Sequence, residues 1–263
     1  MSLRYRLELA AYVAGSALLR SLPLATAQRL GALGARAYFR LHGKGVRRTL
    51  TNLRIAYPQA SEAEIAEIGR QSCIHFAWNV IDVARAEEWG DDDLRARIDF
   101  VGLEELRELL DRGQGALLLS LHMGSFDLGL RRYSLEFPER QPAVVSRPLR
   151  NPLLAERMVA TRTGRGAELI PHKRGAARGM LRALRTGRPI VVLNDQYSSR
   201  SRGVFVPLFG LRCSTSAGVA TIALRTGAPV VPCYVVRDAP DHQTAYFLPP
   251  LEPPASGDRQ KDI

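Results

Sequence analysis

The second half of the sequence alternates short, mainly apolar runs with stretches of helical spacing. The apolar runs cover 116–121, 142–146, 167–171, 189–194, 229–236 and 244–248. Helices are predicted between them near 126–136, 151–163, 174–186 and 215–226. Strands that are apolar throughout are buried on both faces, which is typical of a sheet covered by helices. This pattern predicts an α/β layer architecture with a largely buried sheet.

The first hundred residues carry apolar residues at helical spacing instead. One helix is predicted over 24–42. A second is predicted to begin after Ser61, where Glu64 stands in the capping-box position, and to run to about Trp89. The polar run GDDD at 90–93 is predicted to break the chain between elements. The sequence is then divided into an N-terminal helix (1–22) and a single domain (23–263), with a helical part (23–113), an α/β core (114–250) and a loose tail (251–263).

The N-terminal segment begins with basic residues and then becomes apolar. Its uncharged run extends only from Leu9 to Leu19, which is shorter than the ~20 apolar residues that a helix needs to span a bilayer. It carries no convincing cleavage site of a signal peptide. Two interpretations stay open: an interfacial, membrane-associating helix over 1–22, or an ordinary helix packed on the core.

The chain is strongly basic, with a formal net charge of +11, and all but three of its 37 basic residues are arginines. Arginine forms bidentate contacts with phosphates and carboxylates, so phospholipid headgroups, an acidic carrier protein or nucleic acid are the acidic partners to consider. Because the arginines are scattered and no nucleic-acid-binding motif is present, we expect no nucleic acid. The three cysteines have neither CxxC nor Cys/His ligand spacing, so no metal site is predicted.

The sequence HMGSFD follows the first apolar run and places His122 at its end. Open α/β sheets gather ligands and catalytic groups at the carboxyl ends of their strands. Gly124 and Ser125 permit a tight turn, which would bring the Asp127 carboxylate against the imidazole and leave the other ring nitrogen free to accept a proton. The alternative is structural: His122 caps the helix and Asp127 is solvated.

No motif for a protein nucleophile accompanies this pair. The sequence has no GxSxG elbow, no SxxK, no P-loop and no GxGxxG. A base without a protein nucleophile is suited to activate a hydroxyl group of the substrate. That chemistry implies direct group transfer, such as acyl transfer from a thioester to an alcohol.

Five stretches in chain order carry a family resemblance: RRTLTNLRIAYPQAS (47–61), HMGSFD (122–127), SRPLRNPLLAERM (146–158), GAELIP (166–171) and the long block at 187–232. Together they resemble the lysophospholipid acyltransferase superfamily, and most closely its lipid A biosynthesis (lauroyl/myristoyl) acyltransferase branch. HMGSFD is similar to that family's His-x4-Asp/Glu motif. The resemblance covers nearly the whole chain. It implies a glycerolipid acyltransferase-like fold, with a mixed, mostly parallel sheet flanked by helices.

The resemblance also implies roles for particular residues. His122 would be the general base on the acceptor hydroxyl, and Asp127 would be its partner. Arg147 would contact an acceptor phosphate or stabilise the developing oxyanion, with support from Asn151. Thr215 would cap a helix from 216 whose free N–H groups would hold a phosphate. The other expected substrate-binding residues follow the strand at 189–194 and lie in the loop after it: Asn194, Asp195, Gln196, Arg200 and Arg202. For the two loop arginines, plain solvation is an equal alternative.

The expected function is O-acyl transfer to a hydroxyl of an anionic glycolipid, with a lipid A precursor as the first candidate. The donor would be an acyl thioester of acyl carrier protein or coenzyme A, and no other cofactor is expected. The enzyme would work on the cytoplasmic face of the cell inner membrane, held peripherally or by its N-terminal helix. Three alternatives stay open: an acyltransferase for another membrane lipid such as phosphatidylinositol mannoside, a catalytically idle lipid-binding module, or a hydrolase that activates water.

Overall fold

The computed structural model describes residues 2–86, 88–147, 149–163, 166–171, 175–201, 203–252, 254, 256–258 and 262. The helices of these ranges are α1 (Leu3–Ser21), α2 (Leu24–Arg40), α3 (Lys44–Ala56), α4 (Glu62–Arg85), α5 (Asp91–Arg97), α6 (Glu104–Asp111), α7 (Phe126–Glu136), α8 (Pro152–Thr163), α9 (Ala176–Arg185) and α10 (Gly218–Thr226). The strands are β1 (Ile98–Val101), β2 (Leu117–Ser120), β3 (Ala143–Ser146), β4 (Glu168–Pro171), β5 (Ile190–Leu193), β6 (Gly203–Leu208), β7 (Leu211–Ser216), β8 (Val230–Ala239) and β9 (His242–Phe247).

Seven strands form one sheet in the order β1-β9-β8-β2-β5-β3-β4, and β6 pairs with β7 in a separate two-stranded hairpin. From β8 to β4 each pair of neighbouring strands is parallel. Strand β9 runs antiparallel to β8 and parallel to β1. The expectation of a mixed, mostly parallel sheet flanked by helices is therefore confirmed.

Two hydrophobic cores cover the two faces of the sheet. On one face Leu118 of β2 belongs to the same buried cluster as Leu128 of α7. On the other face Leu117 clusters with Met180 of α9 and Ile222 of α10. Successive side chains of a strand point to opposite faces, so β2 contributes to both cores. This double burial is the reason that the run is apolar throughout in the sequence.

The strand order creates a crevice at the carboxyl ends of β2 and β5. After β2 the chain forms α7 on one face and continues to β3, on the far side of β5. After β5 it forms the hairpin and then α10 on the opposite face, and continues to β8, on the far side of β2. Connections that leave neighbouring strands in opposite directions open a crevice between them, where open α/β sheets bind ligands.

The predicted elements of the second half are found, with three additions. All six apolar runs form strands, and helices α7 to α10 lie within the four predicted stretches. The sequence patterns missed β1, which is a short edge strand, and the hairpin strands β6 and β7. Both hairpin strands keep apolar residues exposed, so they lack the burial that makes a strand visible in sequence. The last helix begins at Gly218 rather than near 215, because β7 extends to Ser216.

The helical first part differs from the prediction around GDDD. The capping box of α4 is present, with Glu64 N–H donating to Ser61 Oγ over 3.3 Å and Ser61 N–H donating to Glu64 Oε2 over 2.8 Å. The helix ends at Arg85, four residues before Trp89. The aspartates of GDDD form the first turn of α5, where carboxylates interact favourably with the helix dipole. This polar run therefore begins a helix instead of separating two elements.

Helix α1 lies on the surface of the domain. Ser16 is its only buried residue, whereas Leu3, Leu7 and Leu18 are largely exposed. This exposure disagrees with an ordinary core helix. Among the described residues, no helix combines the length and the apolar character that a membrane span requires. Association of α1 with a membrane surface stays a prediction.

The tail predicted to be loose begins with an ordered contact. Leu251 N–H donates to Val230 O over 2.8 Å and forms an isolated antiparallel bridge to β8. Residues 253, 255, 259–261 and 263 of the tail lie outside the described ranges. The order of the tail as a whole therefore stays a prediction.

Candidate active site

The crevice contains His122 and Asp195, each two residues beyond the end of a strand. Strands β2 and β5 are parallel, and their register pairs Ser120 with Leu193. Two residues further along each chain stand His122 and Asp195. The backbone contact continues past the strands, because Asn194 N–H donates to Ser120 O over 3.1 Å. The parallel register thus brings the imidazole and the carboxylate together.

The Asp195 carboxylate binds His122 with both of its oxygens. Oδ1 lies 2.7 Å from the imidazole Nδ1, and Oδ2 accepts the His122 backbone N–H over 3.1 Å. A carboxylate on Nδ1 selects the tautomer that carries its proton there and leaves Nε2 as the basic nitrogen. About one third of each side chain is exposed, so a substrate hydroxyl has access to the ring. This geometry is the one in which a carboxylate orients an imidazole that can act as a base.

This pairing differs from the one expected from sequence, which gave the orienting role to Asp127. Asp127 lies half-buried in the first turn of α7, where a carboxylate interacts favourably with the helix dipole. The carboxylate on Nδ1 belongs to Asp195, which the sequence had placed in the same cleft as a substrate-binding residue. The contact follows from the parallel register of β2 (LLLS) with β5 (IVVL), which the sequence alone does not give. A catalytic role of Asp127 itself stays a prediction.

The turn between His122 and α7 is tight, as the sequence predicted. Gly124 adopts a φ of +58°, in the left-handed region that favours glycine. A Cβ at this position would lie 2.5 Å from the Val235 carbonyl oxygen of β8. The Gly124 carbonyl accepts a hydrogen bond of 3.0 Å from Asn79 Nδ2 of α4. The turn is therefore fixed against both β8 and α4.

A buried polar network of side chains from α4, β8 and β9 stabilises this turn. Sequence reasoning missed this network. Ser125 Oγ donates to Asp82 Oδ2 over 2.9 Å, and Ser125 N–H donates to Gln243 Oε1 over 2.7 Å. Asp82 forms an ion pair with Arg237, and both side chains are 3% exposed. Burial raises the pKa of the Asp82 carboxyl, and the adjacent guanidinium opposes that rise. Elements α4, β8 and β9 thus fix the residue that precedes α7.

Apolar side chains surround the imidazole. The Phe126 ring makes an edge-to-face contact with the His122 ring, with centroids 5.2 Å apart. Leu121 and Met123, on either side of His122 in the chain, are both exposed. Tyr197, two residues after Asp195, is 74% exposed. A polar pair rimmed by exposed apolar groups suits a substrate that carries a hydrocarbon chain.

The two residues predicted from SRPLRNPLLAERM (146–158) have different environments. Arg147 is exposed and follows directly after β3, at the same edge of the sheet as His122. Asn151 is buried: its Nδ2 donates to Tyr5 O over 3.0 Å, and its Oδ1 accepts from Leu153 N–H over 3.0 Å. The structure therefore gives Asn151 the task of capping α8 and joining it to α1. Neither of these two contacts joins Asn151 to Arg147, so the support of Arg147 by Asn151 stays a prediction.

The remaining predicted residues differ in what they contact. Gln196 Nε2 lies 3.4 Å from His122 Nε2, the ring nitrogen on the side away from Asp195. Asn194 Nδ2 donates to Ser216 O over 3.3 Å and so joins β5 to the hairpin. Thr215 lies within β7, so its predicted capping role is wrong: Ser216 Oγ accepts the Gly218 N–H of α10 instead. Arg200 is exposed in the loop, and Arg202 lies outside the described residues.

Two other kinds of catalytic group to consider at this site are a metal ion and an activated cysteine. Among the described residues, no group of three His, Cys, Asp or Glu side chains is arranged to hold a metal ion. Cys233 lies on β8 beside β2, where burial raises the pKa of its thiol to about 11. A thiol with that pKa is almost wholly protonated at neutral pH and is a poor nucleophile. The arrangement can therefore deprotonate a substrate hydroxyl but offers no activated cysteine.

Comparisons with known proteins show which proteins this chain is similar to. A sequence model of the family described as bacterial lipid A biosynthesis acyltransferase matches residues 2–262. The lipid A biosynthesis lauroyltransferase of Escherichia coli is 27% identical, over 89% of this chain and 76% of its own. A phosphatidylinositol mannoside acyltransferase of Mycolicibacterium smegmatis is 28% identical, over 85% of this chain and 73% of its own. The E. coli lipid A biosynthesis palmitoleoyltransferase is 25% identical, over 84% and 70% respectively.

The turn geometry predicts that Gly124→Ala lowers both stability and activity. The substitution places a Cβ against the Val235 carbonyl and forces alanine into a left-handed conformation, which costs about 1–2 kcal/mol before the clash is counted. The matched control is Gly113→Ala, whose φ of +74° is equally left-handed but whose Cβ would meet nothing within 4 Å. Urea unfolding should give a larger loss of unfolding free energy for Gly124→Ala. Equal losses would contradict the fixed turn.

The buried network predicts a large effect for Asp82→Ala. Removing the carboxylate leaves the Arg237 guanidinium buried without its counter-ion, which costs about 3–5 kcal/mol of unfolding free energy. The control Asp92→Ala removes a fully exposed carboxylate of α5 and should cost much less, because solvent screens its interactions. Chemical denaturation of the two variants measures the difference. Similar values would show that the network contributes little to stability.

Proposed function

The chain belongs to the bacterial lipid A biosynthesis acyltransferases, and from this membership we propose that it moves a fatty acyl chain from an acyl thioester to a hydroxyl of an anionic glycolipid. It is an acyltransferase. The observation that carries the proposed mechanism is the bond between His122 Nδ1 and Asp195, which leaves Nε2 basic and accessible at the crevice.

In the proposed reaction, His122 Nε2 accepts the proton of the acceptor hydroxyl as its oxygen attacks the thioester carbonyl carbon. The new C–O bond forms, a tetrahedral oxyanion develops, and the C–S bond breaks. The imidazolium then returns the proton to the departing thiolate. Asp195 stabilises the imidazolium and keeps the ring oriented throughout. Every atom and proton of the exchange is thereby accounted for without a covalent enzyme intermediate.

The state of the cysteine beside the crevice supports direct transfer. An acyl-enzyme pathway needs an activated nucleophile, and burial keeps the Cys233 thiol protonated. Cys73 of α4 is likewise a thiol whose pKa is raised by burial. The acceptor hydroxyl is accordingly the proposed nucleophile.

Anionic groups of both substrates would be bound by arginines around the crevice. Arg147 follows β3 at the carboxyl edge of the sheet and is exposed, which suits a contact with an acceptor phosphate or with the developing oxyanion. Arg200 lies in the loop after Asp195, and it and Arg202, two positions further along the sequence, are proposed to contact the headgroup or the carrier. The net charge of +11 favours an acidic acyl carrier protein and coenzyme A alike.

Two classes of acceptor are proposed. A lipid A precursor is the first, because the matched family and the E. coli relatives carry that name. A phosphatidylinositol mannoside is the second, because the mycobacterial relative is as similar to this chain as the E. coli lauroyltransferase. Either acceptor would be reached from the surface of the cell inner membrane on its cytoplasmic side. Peripheral association through α1 is part of this proposal.

We expect His122→Ala to lower kcat for acyl transfer by about 10²–10⁴-fold without unfolding the protein, since a positioned general base contributes about that much. Asp195→Asn should lower kcat strongly as well, because an amide cannot stabilise the imidazolium. The measurement is steady-state transfer from an acyl thioester to a lipid acceptor, followed by mass spectrometry of the lipid. Asp127→Asn is the matched variant, with a carboxylate lost from α7 instead.

The alternatives give different results in the same assay. Transfer by His122→Ala at the wild-type rate would remove the general-base role. A larger loss for Asp127→Asn than for Asp195→Asn would return the orienting role to Asp127. Release of free fatty acid without an acylated lipid would indicate a hydrolase, and lipid binding without either product would indicate an idle binding module.

Arg147→Ala should raise the KM for the lipid acceptor about tenfold and change the KM for the thioester little, because a charge-assisted hydrogen bond is worth about 1.5–3 kcal/mol. Arg150→Ala is the control, because Arg150 is an exposed arginine three residues further along the chain. Initial rates over a range of acceptor concentrations give both constants. An unchanged acceptor KM would exclude Arg147 from acceptor binding.

A further inference from the structure

The β6–β7 hairpin exposes apolar side chains at its tip. Three residues at the tip are about half exposed or more: Leu208 (53%), Phe209 (63%) and Leu211 (49%). Phe205, further back on β6, is also exposed. The two strands pair with each other and are not part of the seven-stranded sheet. Large apolar groups clustered in water mark a contact with another apolar phase.

The turn at the tip contains a residue that its geometry disfavours. Leu208 and Leu211 are paired, so Phe209 and Gly210 form a two-residue loop. Both have positive φ, +48° and +76°, as a type I′ turn requires. Asparagine or aspartate is preferred before the glycine, because a bulky side chain fits the left-handed region poorly. Phe209 therefore neither favours the turn nor increases solubility. Its exposed apolar ring points to another role, in binding.

The charges of the hairpin match an anionic surface. The segment 203–216 contains no aspartate or glutamate. Arg212 is exposed, and its guanidinium lies 5.5 Å from the centroid of the Phe205 ring. Arg200 is exposed just before the hairpin begins. Exposed aromatic and aliphatic groups beside arginine are typical of segments that enter the headgroup region of anionic membranes.

The base of the hairpin is joined to the active site. Ser216 O accepts from Asn194 Nδ2, next to Asp195, and Ser214 O accepts from Ser198 N–H over 3.0 Å. With six residues in each strand, the tip lies about 17 Å from this base. An apolar tip at that distance can hold the crevice against a surface in which a lipid acceptor is anchored.

We propose that the hairpin tip at 208–211 inserts into the headgroup region of a lipid bilayer, with Arg212 on anionic lipid phosphates. Insertion holds the His122–Asp195 crevice close to the membrane surface in which the acceptor is anchored. The inference rests on the proposed function in one respect, namely that the acceptor is a membrane lipid. Binding of the hairpin to a bilayer does not itself require turnover.

The test is co-sedimentation of the full chain with vesicles of three parts phosphatidylcholine and one part phosphatidylglycerol, without acceptor or thioester. Phe209→Asn should weaken vesicle partitioning about tenfold, since it removes one buried aromatic side chain from the apolar phase. Its thermal midpoint should equal or exceed that of the wild type, because asparagine suits the turn. Loss of binding with no loss of stability is a result that misfolding cannot produce.

Two matched variants accompany it. Phe209→Trp should retain vesicle binding, since tryptophan favours the membrane interface. Val101→Ser removes an exposed apolar side chain from the end of β1, and should leave binding unchanged. Strand β1 runs antiparallel to β2, so Val101 lies at the sheet edge opposite His122. This control separates the hairpin tip from apolar exposure in general.

Undiminished partitioning of Phe209→Asn would overturn the proposal. If that variant then changed the sedimentation coefficient from a dimer to a monomer, the tip would be a contact between two copies of the chain. If it instead raised the KM for an acyl carrier protein thioester, the tip would dock the carrier. Because the vesicles contain no substrate, failure of the proposed acyl transfer would leave this result unaffected.

Discussion

The parallel pairing of β2 with β5 is the constraint on which the site depends. Their register ends with Ser120 opposite Leu193, and the next backbone bond, from Asn194 to Ser120, fixes the two departing segments side by side. His122 and Asp195 then meet because each lies two residues past its strand. Their connections leave in opposite directions, so no following element fills the space between them. A slip of one residue in this register would separate base and acid and reverse the face of every side chain in β2.

A buried polar network stabilises the site, at a position where protein interiors ordinarily have apolar packing. Asp82 and Arg237 are buried together, and burying an ion pair contributes little net stability compared with apolar packing. The pair instead orients the turn that begins at His122, because its hydrogen bonds to Ser125 fix one end of that turn. We interpret the network as a means of orienting this turn, with α4, β8 and β9 all contributing.

The surface combines two properties that a glycolipid acyltransferase needs. Exposed apolar groups lie on α1, beside the His122–Asp195 pair and at the hairpin tip. Arginines are found near each of these three regions. The apolar groups suit acyl chains and bilayer, whereas the arginines suit phosphates. Burial raises the pKa of the Cys233 thiol beside the crevice, which suits the proposed direct transfer to the acceptor. Substrate binding, membrane contact and direct transfer are thus consistent with one another.

The sequence by itself determined the strands that are buried on both faces, the α7 turn with Gly124, and the position of His122 at the end of a strand, because these depend on local patterns of apolar and small residues. Only the tertiary structure decided that the Asp195 carboxylate binds the His122 imidazole Nδ1, since this contact depends on the pairing of strands about 70 residues apart. The Asp82–Arg237 pair and the exposed hairpin were decided there too. Such long-range contacts and exposed strands leave no periodic signal in the chain, whereas burial against a core does.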